Sequence, residues 1–179
     1  MEFPSTSAKI PGYDPEQVDV LVARLNRQYE NPSLKLVTSS MLSVVKFDLV
    51  PGGYQIPAVD KAIAGFAETF LEREVAGKVK RGGRDGVAAE LAAALREIRR
   101  VTELPAGKAF SRSRNGYKRR QVKAILKKLE IKRGVISELD ALTLRTTAFG
   151  RSRSGFDRTE VDEFLALVIK ALHCQRALG

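Results

Sequence analysis

The 179-residue chain has one cysteine, one histidine, two methionines and no tryptophan. A single cysteine, Cys174, excludes an internal disulfide and fits a reducing compartment. One histidine and one cysteine fall short of a zinc ligand set. His173 and Cys174 are neighbours on an expected helix, where adjacent side chains point about 100° apart. They are therefore read as structural rather than as a nucleophile–base pair. No apolar run approaches the roughly 18 residues of a membrane span. The opening MEFPSTSAKIPGYD has no basic stretch followed by an apolar one, so no secretory signal is expected. No GxxxxGK[ST] phosphate loop occurs, and RGGRDG at 81–86 follows no expected strand, which makes it a linker. These absences leave no catalytic, metal or cofactor-binding residues to name, and no enzyme is expected.

What is present is 44% hydrophobic residues, enough for a core, and 29% charged ones. The net charge of +10 is uneven. Up to residue 75 there are 7 Lys or Arg against 10 Asp or Glu; of the totals of 31 and 21, 24 basic and 11 acidic residues remain beyond it. The densest stretch is KAFSRSRNGYKRRQVKAILKKLEIKRG, residues 108–134, whose one acid is Glu130. Such a stretch attracts phosphate, in nucleic acid or on a membrane surface, or is simply a solvated helix face.

A Gly-aromatic pair followed five residues later by Val recurs four times: GYDPEQVD at 12–19, GYQIPAVD at 53–60, GYKRRQVK at 116–123 and GFDRTEVD at 155–162. In the first copy Gly12 suits a sharp positive-φ turn, Asp14 an N-cap, Pro15 the first helical position and Gln17 the capping-box position. Tyr13 and Val18 then form a hydrophobic staple. The fourth copy repeats this with Phe156, Asp157, Glu160 and Val161. The second has the weaker cap Gln55, and the third has Lys118 where a cap should be. Apolar residues at helical spacing follow each copy: Leu21, Val22, Leu25 and Tyr29; Ile63, Phe66 and Phe70; Ile125, Leu126 and Leu129; Phe164, Leu165, Val168 and Leu172. Asn31-Pro32 and Gly134 read as helix stops. Asp19, Asp60 and Asp162 follow the staple valines and are read as surface or cap-side salt bridges. The four aromatics are read as core rather than base-stacking platforms.

Phe47, Phe110 and Phe149 lie seven residues before the aromatics of copies two, three and four. Short apolar runs, TSSMLSVVKF at 38–47 and SELDALTLRTTAF at 137–149, suggest a brief helix before copies two and four. Residues 78–86 read as a linker, and 86–103 as a further helix capped by Asp85 with an apolar line of Val87, Leu91, Leu95 and Ile98.

Phe, then an aromatic after Gly, an Asp cap and Val-Asp-x-Phe-Leu resembles the DivIVA domain; FGRSRSGFDRTEVDEFL is the closest copy. The short-long pairing is similar to tandem DivIVA-domain repeat proteins of the actinobacterial type. The expected fold is all-α: four short loop-plus-helix repeats in two tandem pairs, each an intramolecular pseudo-dimer with parallel paired helices. Residues 1–80 form the first pair, 81–104 the linker and connecting helix, and 105–179 the second pair. The resemblance implies a non-enzymatic scaffold or adaptor of cell division and polar growth, working through protein partners. It implies a cytoplasmic location, peripheral to the inner face of the cell membrane. Family members reach the membrane through an exposed Phe and a basic residue at a loop tip. Here the residues before each Gly are Ile10-Pro11, Pro51-Gly52, Arg114-Asn115 and Arg153-Ser154, and no coiled-coil heptads follow copy four. Candidate contacts to an anionic surface are Arg112, Arg114, Lys118, Arg119, Lys123, Lys127, Arg151 and Arg153. The alternative is a nucleic-acid-binding module built on 108–134. A homodimer through Val87, Leu91 and Leu95 is left open.

Overall fold

Short antiparallel strands occupy segments that the sequence suggests are loops or, at 130–132, the end of a helix, so the all-α expectation fails. The computed structural model describes residues 2–42, 45–105, 107–132, 134–137, 139–145 and 147–179. The expected set of four loop-plus-helix repeats with parallel paired helices fails as well. Among the described residues the helices are of 16, 4, 47, 10, 5 and 21 residues. The strands make two two-stranded sheets and one four-stranded sheet. The physical reason is backbone satisfaction. A Gly-aromatic segment buries its ring by lying beside another extended segment, and two such backbones pair their N–H and C=O groups. The chain divides into two compact units, Met1–Leu71 and Glu72–Gly179.

In the first unit, β1 (Pro11–Tyr13) leads into α1 (Pro15–Glu30), and α2 (Ser39–Leu42) and β2 (Leu49–Pro51) precede α3 (Ile56–Thr102). Strands β1 and β2 pair antiparallel with Gly12 opposite Val50. The Asp14 side chain caps α1, accepting from the N–H groups of Glu16 at 2.9 Å and Gln17 at 3.4 Å. Gln17 does not close a capping box. Its amide donates to Asp48 Oδ2 at 2.8 Å, and its carbonyl oxygen accepts from Asp48 N–H at 3.0 Å. The helix ends at Asn31. Buried Gln28 then pins the following chain, accepting from the N–H groups of Leu36 and Val37 and donating to the Val37 carbonyl. The core joins Val18, Val22 and Leu25 of α1 to Val59, Ile63 and Phe70 of α3, with Phe3, Val37 and Leu42 beside them. Each large side chain there contributes about 1.5–3 kcal/mol of burial. Ser43, Val44, Glu138 and Thr146 of the two short segments before copies two and four lie outside the described residues.

The second unit starts within α3, which breaks at Gly83 (φ 75°, ψ 176°), a conformation open essentially to glycine alone. Lys78 Nζ lies 2.8 Å from Glu90 Oε1. Twelve residues of straight helix would set those positions about 18 Å apart, so the chain folds back at Gly83. The segment 78–86, expected as a linker, is helical on both sides of this break, and no separate cap at Asp85 is needed. Beyond it come β3 (Arg112–Ser113), β4 (Gly116–Tyr117), α4 (Arg119–Lys128), β5 (Glu130–Lys132), β6 (Val135–Ser137), α5 (Ala141–Arg145), β7 (Arg151–Ser152), β8 (Gly155–Phe156) and α6 (Arg158–Leu178). Gly134 does not stop α4, which ends at Lys128. It turns the β5–β6 hairpin. Helix α6 buries Val161, Phe164, Leu165, Val168, Ile169 and Leu172. Its Lys170 shares Glu90 with Lys78, and Arg84 donates to the Leu178 carbonyl near its end. Val87 is buried in this unit and is not leftover surface for a homodimer. No helix among the described residues is long and apolar enough to cross a membrane.

Candidate functional site

The Gly-aromatic segments cross in pairs. In the second unit the strand order is β3-β8-β4-β7, so segments from two separate hairpins alternate across one sheet. In the first unit, isolated bridges join Ser5 to Tyr54 and Tyr13 to Tyr54. At each crossing two glycines lie back to back. A Cβ on Gly12 or Gly53 would overlap the other segment's backbone, and the same holds for Gly116 and Gly155. Gly12 thus serves close approach rather than the positive-φ turn expected of it.

Each crossing hands an aromatic ring to the other segment. Tyr13 packs on Phe47 with centroids 5.0 Å apart, and Tyr54 on Phe3 at 5.4 Å. Tyr117 packs on Phe149 at 5.1 Å, and Phe156 on Phe110 at 5.5 Å. Phe3 was missed in the sequence because it precedes Tyr13 by ten residues instead of seven. The third helical residue of three copies then grips the backbone beyond the partner phenylalanine. Gln17 holds Asp48, Gln121 accepts from Gly150 N–H at 2.7 Å, and Glu160 accepts from Ser111 N–H at 2.7 Å.

The aspartates after the valines meet tyrosine hydroxyls rather than cations. Tyr54 donates to Asp19 at 3.3 Å and Tyr117 to Asp162 at 3.2 Å; Tyr13 bonds Asp60. Desolvation raises the Asp60 and Asp162 carboxyls above their ordinary value, and the tyrosine bonds pull them part of the way back. Desolvation first, then the facing carboxylate, raises the hydroxyls of Tyr13, Tyr54 and Tyr117. The exceptions match: Phe156 has no hydroxyl to give, and the third copy has Lys123 where the others have Asp. The three tyrosine–aspartate pairs form separate contacts in two units and make no shared acid–base site.

His173 and Cys174 are both buried in α6. Burial, then Glu90, pushes the Cys174 thiol up, which keeps it protonated. Cys174 borders a surface hollow of about 270 Å³, with Ala93, Ala94 and Ala171 beside it, but is itself almost wholly covered. Among the described residues no group of three His, Cys, Asp or Glu could hold a metal.

The eight basic residues expected at an anionic surface all belong to the second unit. Lys118 N–H donates to the Gly150 carbonyl at 2.7 Å. Arg119, Lys123 and Lys127 lie on α4. Arg112 pairs with Phe156, and Arg151 with Tyr117. As Tyr117 also pairs with Phe156, Arg112 and Arg151 bracket the aromatic pair from opposite edges of the sheet. Arg114 and Arg153 sit in the turns after β3 and β7 and are exposed. Among the described residues none of the eight forms an ion pair. No family model, no curated protein and no solved structure matches this chain.

Proposed function

We propose that the chain is a non-enzymatic scaffold or adaptor of the DivIVA kind, cytoplasmic and working at division or growth sites through protein partners. The observation that supports it best is the crossing of Gly-aromatic loops, glycine against glycine, with each ring seated on the phenylalanine that precedes the other loop. Crossed loops are what the resemblance implies for that family. The buried side chains serve packing: the one histidine and one cysteine are both enclosed in α6. A fluorescent fusion expressed at native level in its own cells tests the proposal. Enrichment at the poles or the division plane is the expected result. Even fluorescence through the cytoplasm at every stage of growth overturns it.

A further inference from the structure

We infer that the second unit carries a surface for duplex nucleic acid, gripping the phosphate backbone without reading base sequence. The surface is centred on α4. Arg119, Arg120, Lys123 and Lys127 fall within about 100° of the helix circumference and about 12 Å of its length. Buried Val122 and Leu129 lie outside that arc, on which Arg120 and Lys127 are exposed and Arg119 and Lys123 half-buried. No acidic residue stands in the first turn of α4. The array continues onto the sheet: the Lys118 side chain lies over Gly150, within 3.3 Å of a Cβ placed there, and the next residue, Arg151, is in register with Tyr117.

Along one strand of a duplex, which carries a phosphate about every 3.4 Å of axis, a strip that long faces about three to four phosphates. Two other polyanions fit worse. Single strands are held by stacking on exposed rings, and among the described residues of this unit no aromatic is exposed; Tyr117 is half-buried against Phe149. A bilayer is entered by apolar wedges. Among the described residues of this unit the exposed bulky apolar ones are Val135 and Leu142, and neither belongs to α4 or the four-stranded sheet.

The test is fluorescence anisotropy of the full-length chain on a labelled DNA duplex of arbitrary sequence, over a potassium chloride series. With one phosphate neutralised by each of the four α4 cations, the logarithm of affinity should fall against the logarithm of salt with a slope of about −3.6. K123E/K127E should weaken binding at least about tenfold while circular dichroism and the melting curve stay unchanged. K35E/K61E changes net charge equally on the first unit and should leave affinity within about twofold, since bulk charge is not what binds. Equal weakening by both pairs overturns the proposal. So does equal affinity for a single strand, tighter binding to phosphatidylserine vesicles than to the duplex, or no binding. If K123E/K127E unfolds the chain, the wild-type salt slope and strand preference still decide.

Discussion

At the residue scale, the glycines of the crossings are the least replaceable positions. Gly53→Ala or Gly155→Ala puts a methyl group into another segment's backbone and should cost about 3 kcal/mol in urea unfolding. Gly65 is the contrast: it is helical, and beyond its own helix backbone nothing lies within 4 Å of the added Cβ. Gly65→Ala should stabilise by about 0.5–1 kcal/mol. Equal effects at the two kinds of glycine would contradict the crossing. Burial of the aspartates at these contacts, which the tyrosine bonds only partly offset, sets a pH dependence. Asp60 is held above its ordinary 3.8 in the folded chain, so the native state keeps the proton more tightly than the unfolded one. Its contribution is full below the unfolded value and is lost as pH rises through the folded one. Asp60→Asn should flatten that fall in melts taken across the acid range, and an unchanged slope would discount the shift. Tyr117→Phe, which removes only a hydroxyl, should cost about 1 kcal/mol.

At the element scale, helix starts were legible and strands were not. Asp14 and Asp157 cap α1 and α6 as their spacing suggests, and Lys118 makes no cap bond. Lys118→Asp should therefore raise the stability of the second unit by about 0.5–1 kcal/mol, read as a higher urea midpoint. The strands escaped detection because they are two or three residues long, too short for an alternating pattern to register. Outside the local β5–β6 hairpin, the pairing is dictated by contacts between residues far apart in the chain, such as Gly12 opposite Val50 and Tyr117 opposite Arg151. The capping-box positions misled for a related reason. Gln17 and Glu160 satisfy N–H groups on another loop, and no local spacing reveals that. The cation cluster, by contrast, was readable from composition and from the expected helix after the third copy, while its continuation onto the sheet at Arg151 was not.

At the scale of the whole molecule, each unit closes its own core. The first draws on residues from Phe3 to Phe70, so a fragment of residues 1–80 should unfold cooperatively with a midpoint independent of protein concentration. A midpoint that climbs with concentration would mean that a second chain completes it. The second unit depends on the reversal at Gly83, where Glu90 holds Lys78 from the same helix and Lys170 from α6. Gly83→Ala should strain that reversal by about 1–3 kcal/mol, measured as a fall in the urea midpoint. Cys174 sits against the residues of this network, 1% exposed and the only sulfhydryl in the chain. An alkylating reagent can reach it only when α6 lifts away, so the rate of modification becomes a clock for the opening of the second unit alone, legible in the intact protein with no label introduced.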